Sequence, residues 1–184
     1  MAGRSPAEAV ANFLAPLQRA VSCVTPAVLD VHGGYHVAEA PHALTLGVEA
    51  PVQMRGPGEL ALRVTHHYRI IEAEGARGPW KASSVGYLYA LDDAQSREVL
   101  AYHWHPEGRG GKAHPHLHLG EGALIGHERL KGAHLATGRV ALESLLRCAI
   151  AELGVEPLRE DWREVLDASE RRFEEWRTWP SPAS

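Results

Sequence analysis

Seven of the twelve histidines fall between His103 and His134, and five of these form two tight clusters, His103-Trp104-His105-Pro106 and His114-Pro115-His116-Leu117-His118. Imidazole titrates near neutral pH and ligates metals, so these rings suit proton transfer or coordination. A spacing of two along a strand turns alternate side chains to one face. That puts Val99, Ala101, His103 and His105 together, and His114, His116 and His118 together. If the two segments pair through the loop around Gly108-Arg109-Gly110-Gly111, five imidazoles line one surface, with His66 and Tyr68 as candidates to join them.

Three chemistries fit such a surface. The first is acid–base cleavage of a phosphodiester, with RNA or a nucleotide as substrate. His116 and His118 exchange protons, His105 supports them and Arg139 holds phosphate at a helix start opened by Gly138. Arg109, Lys112 and His134 are then substrate-binding candidates. The first reading needs no cofactor. The second is a divalent transition metal such as zinc, held by His103, His105, His116 and His118, with Glu121 as a further candidate ligand. The third gives the rings only structural hydrogen bonds, in a non-catalytic interaction domain; two clustered polar rings in an apolar strand are costly without a purpose. Glu143 could complement the helix dipole or orient a histidine. His32, His36 and His42 read as structural, and His127 as a weaker candidate. Tyr102 and Trp104 read as core.

Positioning these rings requires a scaffold. Ser5-Pro6-Ala7-Glu8 starts a helix with an N-cap, a proline in its first turn and a capping-box glutamate. Val10, Phe13, Leu14, Leu17 and Val21 form its apolar stripe, and Pro16 predicts a kink or break. From Ala27 to Leu119 the pattern changes to strands. Residues 28–31, 35–38, 43–48, 60–72, 84–91, 97–105 and 114–119 are the candidates, with turns at Gly56-Pro57-Gly58 and at 92–96. Thr137 is a candidate cap for a helix over 138–153 that Gly154 ends, and Trp162, Val165, Leu166, Ser169, Phe173 and Trp176 stripe a last helix over 160–176. The expectation is an α+β fold: one domain over 1–184, with an N-terminal helix within 1–26, a strand-rich core over 27–120 holding an antiparallel sheet of about five to seven strands, and two C-terminal helices within 137–178.

Composition bounds the function. A net charge of −4 argues against a general nucleic-acid coat, although 16 of the 19 basic residues are arginine. Cys23 and Cys148 form neither a metal knuckle nor a disulfide framework, and no signal pattern or membrane span is visible, so the expected setting is the cytoplasm, off the membrane.

Two short stretches resemble known families. Tyr87-Leu88-Tyr89, then Arg97 to Tyr102, then Pro115-His116-Leu117-His118 followed by a helix, resembles the TumE-type toxin components of bacterial toxin–antitoxin pairs. That likeness implies RNA-directed activity and an antitoxin partner. Gly110 to Gly120, with alternating histidines after a Gly-rich turn, resembles the histidine-triad motif of nucleotide hydrolases and transferases. It implies that His116 is the nucleophile, flanked by His114 and His118.

Overall fold

The computed structural model describes residues 1–74, 78–106, 113–127, 130 and 133–176. The fold is α+β, with three α-helices and nine strands in one antiparallel sheet among the described residues. In chain order the elements are β1 (Ala2–Gly3), α1 (Pro6–Val21), β2 (Asp30–His32), β3 (His42–Leu46), β4 (Val52–Gln53), β5 (Ala61–Glu72), β6 (Trp80–Asp92), β7 (Glu98–Trp104), β8 (His116–Leu119), a single 3-10 turn (Glu121–Ala123), β9 (His134–Ala136), α2 (Leu142–Ala151) and α3 (Trp162–Trp176). The main path is a meander, β2-β3-β5-β6-β7-β8-β9; β1 pairs off β6 and β4 off β5.

The N-terminal helix begins where Ser5 predicts. Ser5 Oγ accepts from the Glu8 amide at 3.1 Å, and the Glu8 carboxylate accepts from the Arg4 amide rather than closing back on Ser5. The expected break at Pro16 does not occur: α1 runs through it. A proline deletes one intrahelical bond, and burial of Phe13, Pro16, Leu17 and Ala20 on one stripe holds both halves in line. The last helix is seated as read, with Trp162, Leu166 and Ser169 buried and Val165 and Phe173 packed against the core. The helix expected over 138–153 is shorter, starting at Leu142 with Ala141 as an N-cap that offers no side-chain bond. Thr137 therefore caps nothing; its hydroxyl is buried and unpartnered. Residues 35–38 form no strand, while β1, β4 and β9, of two or three residues each, lie below the length at which alternation is visible.

The sheet has two chemically different faces. Leu62, Val64, His66, Tyr68 and Ile70 of β5 align with Tyr87, Tyr89, Leu91, Leu100, Tyr102 and Trp104 across β6 and β7, and the helices cover that face. Along β5 and β7 the intervening positions, Arg63, Thr65 and His67, then Ala101 and His103, point the other way, as alternation demands. No side chain of this second face belongs to the apolar core. The sheet thus separates a core from a polar surface that spans the meander.

Two buried polar systems lie on the core side. His66 Nε2 lies 2.8 Å from Ser84 Oγ and its Nδ1 2.6 Å from the Tyr89 hydroxyl. Glu143, at the start of α2, meets Ser169 of α3 at 2.5 Å, and Ser169 Oγ also donates to the Pro16 carbonyl of α1 at 3.0 Å. A serine hydroxyl has one proton. It serves both contacts only if Glu143 is protonated and donates to it. Burial pushes the Glu143 carboxyl up, which agrees. Glu143 thus ties three helices together and orients no histidine.

Candidate functional site

The pairing of β7 with β8 sets His103 opposite His116, and the pairing of β8 with β9 sets His118 opposite His134. Both registers lie on the second face. Ring centroids stand 5.3 Å apart for His103 and His116, 5.8 Å for His103 and His118, 4.7 Å for His116 and His134, and 5.2 Å for His118 and His134. His105 adjoins His103 at 5.7 Å and His114 adjoins His116 at 6.1 Å, so the contacts link six imidazoles into one patch.

The tautomers of the two central rings follow from their partners. His116 Nδ1 lies 3.0 Å from the His114 carbonyl, which can only accept, so Nδ1 carries the proton and Nε2 keeps its lone pair. His118 Nδ1 is bound by the Glu98 carboxylate, with the same consequence. Glu98 in turn is 3.6 Å from Arg63, and Arg63 holds Asp92 through two bonds of 2.5 and 2.8 Å. Asp92 is 1% exposed and needs this fork to be buried as an ion. A chain of charge, Asp92–Arg63–Glu98–His118, therefore runs across four strands and fixes the orientation of one ring.

Sequence alternation hides this chain. Glu98 shares its parity with Leu100, Tyr102 and Trp104, all on the core face. A β-bulge breaks the register between Leu91 and Asp92, so that Glu98 rather than Val99 pairs with Asp92. A bulge re-aims a side chain, and here it brings Glu98 onto the histidine face. A second bulge between His67 and Tyr68 sets Gly86 beside His67 and Ser84 beside Tyr68. That bulge adds Val85 to β6 and leaves the alternation of β5 unbroken, and it is the parity of β5 that corrects the expectation for this strand: His66 and Tyr68 sit on the core face, and His67 is the histidine of β5 that faces the patch side.

The other expected site residues divide. His103, His105, His116, His118 and His134 meet as expected from their spacing. Arg139 does not join them. Its guanidinium lies over the Trp104 ring at 3.6 Å, and Trp104 points to the core face, opposite His103. The cation–π contact and the shortened α2 remove the basis for a phosphate clamp at a helix start. Arg109 and Lys112 lie outside the described residues. His127 is exposed in the loop before β9, and Glu121 is exposed in the 3-10 turn. His32 lies on the second face, its Nε2 2.7 Å from Thr45 Oγ1.

The rings feel each other. Burial and then the neighbouring imidazoles His116, His105, His118 and His134 push the His103 ring down to about 4, and its Nε2 is buried without a hydrogen-bond partner. His105 is lowered by burial, then by His67 and His116. Among the described residues no group of three or more His, Cys, Asp or Glu is arranged to hold a metal ion. Cys23 and Cys148 are free thiols, and no described helix is long and apolar enough to cross a membrane.

Gly120 closes β8, and its amide donates to the Val99 carbonyl at 3.1 Å. A Cβ there would overlap the Glu98 carbonyl group, with the carbonyl carbon at 2.7 Å and the Glu98 Cβ at 2.8 Å. Gly120→Ala is expected to lever β8 away from β7, to cost about 1–3 kcal/mol as overpacking does, and to detach His118 from Glu98. Urea unfolding together with the His118 imidazole NMR shifts checks both effects. An unchanged midpoint with unchanged shifts would refute the tight β7–β8 junction.

No family model, curated protein or solved structure matches the chain.

Proposed function

We propose that the histidine face cleaves phosphodiesters by acid–base catalysis, with RNA as the substrate class. The observation that carries this reading is the pair His116 and His118. Their Nδ1 atoms are anchored by a carbonyl and by a carboxylate, which leaves the lone pair of each neutral ring on Nε2, the two rings lying within one patch. His118, backed by Glu98, takes the proton of the attacking ribose 2′-hydroxyl, and Glu98 stabilises the imidazolium that forms. The 2′-oxygen bonds to phosphorus while the bond to the 5′-oxygen breaks. His116, protonated at Nε2, donates that proton to the leaving oxygen, giving a 2′,3′-cyclic phosphate and a 5′-hydroxyl. His103, His105 and His134 surround the phosphate in place of the displaced Arg139. The likeness to TumE-type components supports the RNA assignment, and with it a cytoplasmic setting and an antitoxin-like partner. The histidine-triad likeness supports a phosphorus-centred reaction.

The test is cleavage of a fluorogenic RNA in the presence of a chelator, by the wild type and by Glu98→Gln. Wild-type cleavage should persist with chelator, and Glu98→Gln should lose about 10²-fold in rate, as loss of a residue that orients a base does. Absence of cleavage by the wild type sinks the reading. Loss of cleavage on chelation, restored by one divalent ion, favours a second reading in which His103, His105, His116 and His118 are ligands. The anchored Nδ1 atoms support that reading, because ligand histidines donate their other nitrogen to a carbonyl or carboxylate.

A further inference from the structure

The same sheet face continues past the histidine patch into a groove of about 610 Å³ over β2, β3 and β5. Asp30, His32, Thr45, Thr65 and His67 line it from that face. At its mouth stand Val28, 69% exposed, and Val48, 60% exposed, two of the most exposed large apolar side chains among the described residues. This lining and the patch belong to one surface. His67 is paired with Gly86, and Gly86 lies one strand from the end of β7 that carries His105. With no side chain, Gly86 leaves a trough between the two rings; a Cβ there would meet only the Trp104 carbonyl at 3.0 Å and His67 at 3.8 Å. The His67 charge is one of the influences lowering the His105 ring, so the two sites are also electrostatically joined.

We infer that this groove is the distal base-binding subsite of the RNA whose scissile phosphate lies at the histidine patch, the strand crossing the sheet perpendicular to β5, β6 and β7. This rests on the phosphodiester reading above and names the path of its substrate. Three observations carry it. The first is distance. The groove is centred on β3 and the patch on β8, four strand spacings apart in the sheet order, about 19 Å at ~4.8 Å per strand. A single nucleic-acid strand advances about 3.4 Å per nucleotide when stacked and up to roughly twice that when extended. The groove is therefore out of reach for the base of the reacting nucleotide, and within reach of one about three to six nucleotides away. The second is charge. Asp30 and Glu49 line the groove. They repel a phosphate and accept from the amino or imino groups of a base. The third is the surface between. It presents flat rings at His67 and His105 and an apolar side chain at Leu88, on which a base stacks without sequence preference.

The experiment is a binding ladder, with uncleavable 2′-O-methyl oligouridylates of one to ten residues titrated into the wild-type protein. Affinity should climb up to about four to seven residues and then level. Thr65→Leu, which fills the groove, and Val48→Asp, an exposed change at the mouth that the fold tolerates, should each remove at least tenfold of affinity from the longer oligomers. The loss on uridine monophosphate should be less than twofold. A flat ladder, or an equal loss at every length, overturns the inference. The two failures are separable. A protein that shows the ladder and the length-dependent losses but cleaves no RNA retains the binding path and loses the catalytic reading. One that cleaves a dinucleotide but shows a flat ladder keeps the catalytic reading and loses the subsite.

Discussion

Replacing His116 by Ala or by Asn should lower phosphodiester cleavage by about 10²- to 10⁴-fold, the range in which a positioned acid or base acts. The two variants separate chemistry from folding. His116 is 4% exposed on a strand paired on both sides, so the alanine leaves a void and removes the bond to the His114 carbonyl. Some stability is lost for reasons unrelated to catalysis. Asparagine places an amide N–H where Nδ1–H stood and nothing where Nε2 stood. It should keep the bond to His114 and the unfolding midpoint, yet be as inactive as the alanine. Initial rates on RNA, read beside urea unfolding curves, check this. An active, folded His116→Asn would show that Nε2 takes no part. In the proposed reaction His118 and His116 act as one unit, so the double variant should be little worse than either single one.

The parts of this site that sequence reveals are those governed by alternation. His103 and His105 on one strand, and His114, His116 and His118 on the next, need only a period of two and one hairpin to meet. Both are local rules, and the observed register joins His103 to His116. The α+β class and the meander follow from the same logic, since long segments rich in β-branched residues, as β5 is, or in aromatic ones, as β6 is, announce themselves. What stayed hidden depends on a break in the period and on which face the pairing turns to the helices. Glu98 reaches His118 only because a bulge shifts the register beside Asp92, and His67 replaces His66 on the histidine face because pairing fixes which parity of β5 meets the helices. No local signal distinguishes His66 from His67. The apolar partners Leu62 and Val64 share the parity of His66 and place it in the core. Arg139 lies elsewhere for a different reason. A Thr-Gly-Arg run reads as a helix start, but the chain stays extended to Ala141, and the guanidinium finds Trp104 first. A stacked arginine is indistinguishable in sequence from a phosphate clamp.

The ring that turned inward should control how the protein responds to acid. His66 is 2% exposed and packs edge-on against Phe13 with centroids 5.1 Å apart. Burial holds the Tyr89 phenol well above its ordinary value, so its hydroxyl stays protonated and donates to His66 Nδ1; Nε2 then carries the ring proton and donates to Ser84. Both ring nitrogens are satisfied in the neutral form, and a second ring proton would have no acceptor. Burial first, then the neighbouring His67, brings the ring down to about 3 from an ordinary 6.5. The sign follows. Between these values the unfolded chain binds a proton that the folded chain refuses, so folding stability is intact above pH 6.5 and falls as the pH drops towards 3. The slope from this one group approaches about 1.4 kcal/mol per pH unit. Glu143 acts in the opposite sense. Its carboxyl is raised by burial, so its contribution is complete below the unfolded carboxylate value and is lost as the pH rises through the folded one. The two overlap, and a single pH–stability curve would blur them. The difference between the wild type and His66→Gln isolates the histidine. Glutamine offers a donor and an acceptor to Ser84 and Tyr89 but does not titrate. Urea unfolding from pH 8 to pH 4 should find the variant less stable by about 1–3 kcal/mol at pH 8. The gap should close as the pH falls below 6 and invert near pH 4. A difference constant across that range would mean that His66 is protonated in the folded protein, and that the buried pair with Tyr89 is not the neutral one its hydrogen bonds describe.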